Sequence, residues 1–148
     1  MARSDPELGA ALAAGEQSAL AEQVGAEIAH RGAVLVCGGL TGVMEAAARG
    51  AKNAGGLTIG ILPGDDAGEA NRFIDIPIVT GLGEARNVVI VKTCHALIAV
   101  GGAYGTLSEI TFALRAGKTV VGLGTWDLPA IVNAASPADA VEKAYGSR

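Results

Sequence analysis

The sequence predicts an α/β fold, a doubly wound parallel sheet with helices on both faces. Three observations carry this. Short apolar runs recur at 33–37, 57–62, 76–80, 95–100 and 119–124, and helical patterns fill most of the intervals between them. Half of the 148 residues are hydrophobic but only 3% are aromatic, so the core has to be built from closely packed Ala, Val, Ile and Leu, with the 22 glycines serving turns. Glycine-rich and polar stretches collect behind the carboxyl ends of the apolar runs, the edge at which open parallel sheets bind ligands. The length suits one domain, 1–148, which would bury roughly 68–70% of its unfolded surface.

The chain begins Met-Ala-Arg-Ser-Asp-Pro-Glu-Leu8, already in loop or helix, and Ser4-Asp-Pro-Glu7 is suited to capping a helix. Leu20, Val24 and Ile28 share one helical face, and Gly32 behind them ends that helix near Arg31. The run 33–37 enters the turn Cys37-Gly-Gly-Leu-Thr-Gly42, from which Val43, Met44, Ala47, Ala48 and Ala51 continue at helical spacing. After the run 57–62, the stretch from Pro63 to Asp75 is polar, with Asp65, Asp66, Gly68 and Glu69, and reads as a mobile loop. The run 76–80 leads through Gly81 and Gly83 to a helix over Glu84 to Thr93. The run 95–100 opens onto Gly101-Gly-Ala-Tyr-Gly-Thr106 and a further helix, in which Thr106-Leu-Ser-Glu109 matches a capping box. Gly117 reads as the C-cap of that helix. Gly117-Lys-Thr119 is not the end of a P-loop, because Phe112 stands where the first glycine belongs and the segment joins helix to strand. The last helix follows Ser136 as cap, with Pro137 at its first position and Asp139 at its third.

Composition narrows the function. A net charge of −4 and a pI near 5.1 argue against nucleic acid as a partner, since such binding relies on clustered Lys and Arg. No run approaches the ~18 apolar residues of a membrane span, and Asp5, Glu7 and Glu16 interrupt what would be a signal peptide, so a cytoplasmic location is expected. Cys37 and Cys94 give no disulfide framework and are expected reduced. His95 and Cys94 are adjacent and point to opposite faces of a strand, and with His30 they are read as structural; no metal site is expected. Low charge, high Ala content and a mean hydropathy of +0.40 suggest a homo-oligomer, a dimer or tetramer.

The two glycine turns carry the chemistry. Each follows an apolar strand and opens a helix, so backbone N–H groups and the helix dipole can converge on an anion. Gly38, Gly39, Thr41 and Gly42 in one turn, and Gly101, Gly102, Gly105 and Thr106 in the other, form the expected cradle for a phosphate. Neither turn contains G-x-G-x-x-G, and no ribose-binding acid follows the run ending at Leu62, which excludes a hydride-transferring dehydrogenase. Arg86 stands in a first helical turn, where the macrodipole opposes a cation, and is better placed there if an anion sits beside it; an ion pair with Glu84 or Glu109 is the plainer account. Glu109 either completes the capping box or orients water at a sugar carbon. Tyr104 is expected beside the ligand, Trp126 over the sheet edge or on a base, and Asp65 and Asp66 at a solvated loop tip.

Together these motifs resemble a known group. Gly38-Gly-Leu-Thr-Gly-Val-Met-Glu-Ala-Ala-Ala-Arg-Gly-Ala51, Gly60-Ile-Leu-Pro-Gly64, Ala85-Arg-Asn87 and Gly101-Gly-Ala-Tyr-Gly-Thr-Leu-Ser-Glu109 are similar to the Rossmann-like superfamily of Lonely Guy phosphoribohydrolases and molybdenum-cofactor carrier proteins, some of which are labelled lysine decarboxylases. The likeness runs from about Ala26 to Trp126 and is nearest to the molybdenum-cofactor-carrier branch, through Ala85-Arg-Asn87 and the form of the last motif. The resemblance implies a nucleotide or pterin-nucleotide phosphate bound by both turns with Arg86 and Asn87, and a molybdenum cofactor as cargo rather than a resident cofactor. In the hydrolase branch an arginine and a glutamate cut the N-glycosidic bond of a nucleoside monophosphate, and Arg86 and Glu109 match them. Three departures weigh against hydrolysis: Gly101-Gly-Ala103 replaces Pro-Gly-Gly, and Gly83 and Asn87 stand where the hydrolases carry His and Lys. The relatives also begin with a central strand ahead of the first helix; this sequence starts in loop or helix and is expected to lack that strand, through truncation or with another segment or subunit in its slot.

Overall fold

The computed structural model describes residues 6–146, with side chains from Glu16 onward. The capping expected of Ser4 and Asp5 lies outside the described residues, but the helix they would cap is present. Helix α1 runs Pro6–His30. It ends where predicted, with Gly32 at φ 71 and the amides of Gly32 and Ala33 returning to Ala29 and Ile28. Then follow β1 (Leu35–Cys37), α2 (Val43–Asn53), β2 (Thr58–Leu62), β3 (Ile76–Val79), α3 (Arg86–Thr93), β4 (Ala96–Val100), α4 (Tyr104–Arg115), β5 (Thr119–Leu123), β6 (Val132–Asn133) and α5 (Pro137–Tyr145). The five apolar runs thus become β1 to β5. The two-residue β6 is too short to leave a pattern. Ser136 caps α5 as read from the sequence, its Oγ accepting from the Asp139 amide at 3.1 Å.

All pairings are parallel, in the orders β1-β2-β3 and β4-β5-β6. Among the described residues no strand precedes β1, and β1 and β4 each pair on one side only, so the array is split into two three-stranded sheets. Helices bridge the two sheets. α1 packs on both β1 and β4, while α3 packs on β1, β2 and α4. On one face Ala21, Val24, Ala46, Val121 and Val141 join α1, α2 and α5 to β5; on the other Val91, Ile110 and Ala113 join α3 and α4 to β4 and β5. This is the three-layer arrangement that alternating helices and parallel strands require.

The α1–α2 contact explains the alanine and glycine content. A Cβ added at Gly50 would overlap the Glu22 carbonyl, and one at Gly25 would overlap that of Ala47, so the two helices touch backbone to backbone. No helix among the described residues is long and apolar enough to cross a membrane. The segment from Pro63 to Asp75 is not the free loop its polarity predicts. Asp66 caps a single 3-10 turn by accepting from the Gly68 amide at 2.8 Å, and Asp75 accepts from the Thr58 amide at 3.0 Å while pairing with Lys52 at 2.9 Å.

Candidate functional site

The C-terminal ends of β1 and β4 deliver the chain into the two glycine turns, from which α2 and α4 start, and the start of α3 joins them: Arg86 reaches Gly38 of the first turn and Asn87 reaches Ser108 behind the second. The first in-helix bonds are made by the amides of Ala46, to Gly42, and Leu107, to Ala103. The amides of Val43, Met44 and Glu45, and of Tyr104, Gly105 and Thr106, therefore have no acceptor within their helices. Neither N-cap residue, Gly42 or Ala103, offers a side-chain hydrogen bond, in contrast to Ser136 on α5. Two uncapped helix N-termini are the electrostatic requirement for holding an anion.

The turns depend on glycine at particular points. Gly42 has φ 72 and Gly102 φ 115, both on the glycine side of the map. The individual glycines differ in use. Gly38 and Gly39 are buried: a Cβ on Gly38 would lie 2.6 Å from the Arg86 Nη2, and one on Gly39 2.7 Å from Leu62. The corresponding Cβ positions on Gly101 and Gly102 are occupied by Gln17 and Thr106. Around Gly42 and Gly105, however, a Cβ meets nothing within 4 Å, so these two border open space, and Thr41 beside Gly42 is exposed. The turns combine a packed rear, made by the first glycines, with an open front.

Arg86 forms that rear. It is 8% exposed, with Nε donating to the Ile61 carbonyl at 2.8 Å, Nη1 to the Asn87 Oδ1, and Nη2 to the Gly38 carbonyl at 3.5 Å. The ion pair weighed from sequence does not describe it. Its charge is held beneath the first turn, locking strand ends together. Asn87, also buried, donates from Nδ2 to the Ser108 Oγ at 3.1 Å, and Ser108 donates to the Gly105 carbonyl at 2.9 Å, so the start of α3 is tied to the second turn.

Glu109 is not a capping-box residue. α4 begins at Tyr104, before Thr106, because the Gly101-Gly102 turn leaves Ala103 already extended, at φ −105 and ψ −153. Glu109 therefore lies in the second turn of α4, where burial raises its carboxyl above the ordinary value and the Arg86 charge opposes that rise. Cys37, a free thiol at the end of β1, is raised by burial too and feels both Glu109 and Arg86. The structure thus gathers Arg86, Glu109 and the first turn in one neighbourhood.

Sequence reasoning missed Asn71 and gave Thr125, at the strand end Gly124-Thr-Trp-Asp127, no role of its own. Asn71 donates from Nδ2 to the Gly39 and Leu40 carbonyls at 3.2 and 2.7 Å, fixing the backbone of the first turn. Thr125 donates to the Gly101 carbonyl at 2.6 Å and fixes the backbone of the second turn in the same way. A lone Asn in a polar stretch carries no signal, whereas Gly124-Thr125 stood at a strand end and was readable as part of the edge. A cavity of about 290 Å³ lies here, lined by Gly124, Thr125, Asp127 and Asn133. A larger concavity of about 460 Å³ lies between α1 and α2 near His30 and Asn53 and has no part in this edge.

Comparison with known proteins agrees with this arrangement. The molybdenum cofactor binding protein of Rippkaea orientalis superposes with a TM-score of 0.83 at 41% identity, over 88% of this chain and 86% of that one. The molybdenum cofactor carrier protein of Chlamydomonas reinhardtii gives 0.81 at 40% identity, over 89% and 88%. A cytokinin riboside 5′-monophosphate phosphoribohydrolase of Mycobacterium tuberculosis is 36% identical over 116 residues, 76% of this chain but only 60% of the hydrolase. The fold is the Rossmann-like one of these carriers and hydrolases, as the motifs led one to expect. The SLOG cluster4 family model matches residues 8–145, nearly the whole chain, and the chain belongs to that family.

Proposed function

We propose that this chain is a carrier for a phosphate-bearing small molecule, a nucleotide or a molybdopterin-like cofactor, held through its phosphate on the N-termini of α2 and α4. The observation that supports this most is the pair of uncapped helices opening from glycine turns at one edge. Thr41 and Thr106 supply hydroxyls beside those amides, and Arg86 and Asn87 supply charge and alignment from behind. The neighbours named for binding or carrying the molybdenum cofactor support cargo of that kind. The carrier is proposed to be a homo-oligomer: β3 pairs on one side only and exposes Ile76 at 44%, Ile78 at 41% and Val79 at 42%, an apolar edge suited to burial against a second copy.

A second reading, hydrolysis of a nucleoside 5′-monophosphate, draws on Glu109. Freed from capping and close to Arg86, its carboxylate could take the proton of a water whose oxygen bonds to the sugar C1′, while the C1′–N bond breaks and the base leaves with the electron pair. Thermal-shift titration with nucleoside monophosphates and pterin phosphates, each mixture then assayed for free base, separates the two. A ligand at ~100 times its dissociation constant stabilises by roughly 2.7 kcal/mol. Stabilisation without base release is the expected result; base release abolished by Glu109→Gln with affinity retained would establish the hydrolase. No stabilisation by any phosphate compound would refute both.

A further inference from the structure

The second glycine turn has an aromatic neighbour that phosphate binding does not use. Tyr104, the first residue of α4, is 83% exposed, which for a large aromatic at the mouth of a site leaves a face without packing. Its ring stacks against Trp126 with centroids 6.1 Å apart and planes inclined at 26°. Trp126 is fixed from two sides. Its indole N–H donates to the carbonyl of Ala103, the N-cap of α4, at 3.2 Å, and its body packs against the cluster containing Val91, Ile110 and Ile131. The adjacent Thr125 is bonded to Gly101 at 2.6 Å. An indole held on two sides is thus tied to the same turn that offers its amides to an anion, and an exposed phenol lies over it.

We propose that Tyr104 and Trp126 form a stacking platform for a planar heteroaromatic ring carried by the ligand. The phosphate anchor rests on the function proposed above; the platform adds recognition of the ring. Aromatic layers stack at about 3.5 Å, so a ring inserted between two others needs centroids about 7 Å apart. The observed 6.1 Å falls short by less than one ångström, and the exposed Tyr104 is the side that can yield. The outer face of Tyr104 is a second stacking surface. Because the platform reads a π face, it selects ringed phosphates over sugar phosphates without choosing among bases.

Trp126 is the single tryptophan of the chain, so its emission reports on the platform directly. Guanosine 5′-monophosphate, guanosine and ribose 5-phosphate are titrated against the wild-type chain by fluorescence and calorimetry. The monophosphate is expected to quench saturably and to bind at least about ten-fold tighter than ribose 5-phosphate. Tyr104→Ala and Trp126→Leu should reduce that ratio to about three-fold or less, a comparison in which any change in phosphate anchoring common to both ligands cancels. Equal affinities in the wild type, or a ratio that survives both substitutions, would overturn the platform. If neither phosphate compound binds, the phosphate reading fails by itself and guanosine decides: saturable quenching supports the platform, and its absence overturns it.

Discussion

Replacing Arg86 by Met keeps the length of the stem and removes the guanidinium. The bond from Nε to the Ile61 carbonyl, at 2.8 Å and charge-assisted, is of the kind that contributes about 1.5–3 kcal/mol. The bond to Gly38 at 3.5 Å is near the limit of the interaction and adds about 1 kcal/mol at most. Asn87 also loses its partner, although it keeps Ser108. The expected loss is about 2–4 kcal/mol, against ±0.5 kcal/mol for an arginine that only faces a ligand. With an m-value of about 2 kcal/mol/M, the middle of the usual range, the urea midpoint should fall by about 1–2 M. Arg86→Lys keeps the charge but not the planar fork, and should recover less than half of the loss. A midpoint within about 0.3 M of wild type in Arg86→Met would refute the claim that Arg86 holds the strand ends together.

Glu109 has a raised folded-state carboxyl, so its ionisation opposes folding and stability falls as pH rises through the interval between its unfolded and folded values. Glu109→Gln should therefore remove the fall of the urea midpoint as pH rises above the ordinary carboxylate range and leave the variant at least as stable as wild type on the alkaline side of that fall. Asp75 is shifted the opposite way, first by the Lys52 hydrogen bond and then by the Thr58 amide, so its contribution is present above its unfolded value and is lost as pH falls through the folded one. Asp75→Asn should cost about 1 kcal/mol at neutral pH and weaken the acid limb of the stability profile, read by circular dichroism. At Gly50 an added Cβ overlaps the Glu22 carbonyl, so Gly50→Ala should destabilise by about 1–3 kcal/mol in chemical denaturation despite alanine's better helix propensity.

The strands were legible because each is a short apolar run bounded by glycine or polar residues, and the sheet edge was legible because the glycines gather behind those runs. What lay beyond reach depended on long-range contacts. Arg86 stood out as a cation in the wrong helical turn, yet its burial follows from β2 and the first glycine turn presenting carbonyls to it, which no local pattern encodes. The capping box at Thr106 failed for a local reason: the Gly101-Gly102 turn already aims the chain into a helix at Tyr104, and backbone geometry overrides side-chain preference. The polar stretch after Pro63 looked mobile by composition, but Asn71 and Asp75 bind it to the first turn and to β2. Asp66 and Gly68 at the Asx turn were visible as turn residues, though not as a 3-10 cap.

The central claim is that the open N-terminus of α4 holds the ligand's phosphate, and Gly105→Asp tests it most directly. Gly105 is the second residue of α4 and borders open space, so an aspartate fits without strain. A carboxylate in a first helical turn stabilises the helix by about 0.3–1 kcal/mol, while the same charge repels a phosphate from the amides it would occupy. Stability and affinity should move in opposite directions. The account predicts a urea midpoint equal to or above wild type together with at least about a ten-fold loss of nucleoside monophosphate affinity by calorimetry. Undiminished affinity in a variant as stable as wild type would contradict it.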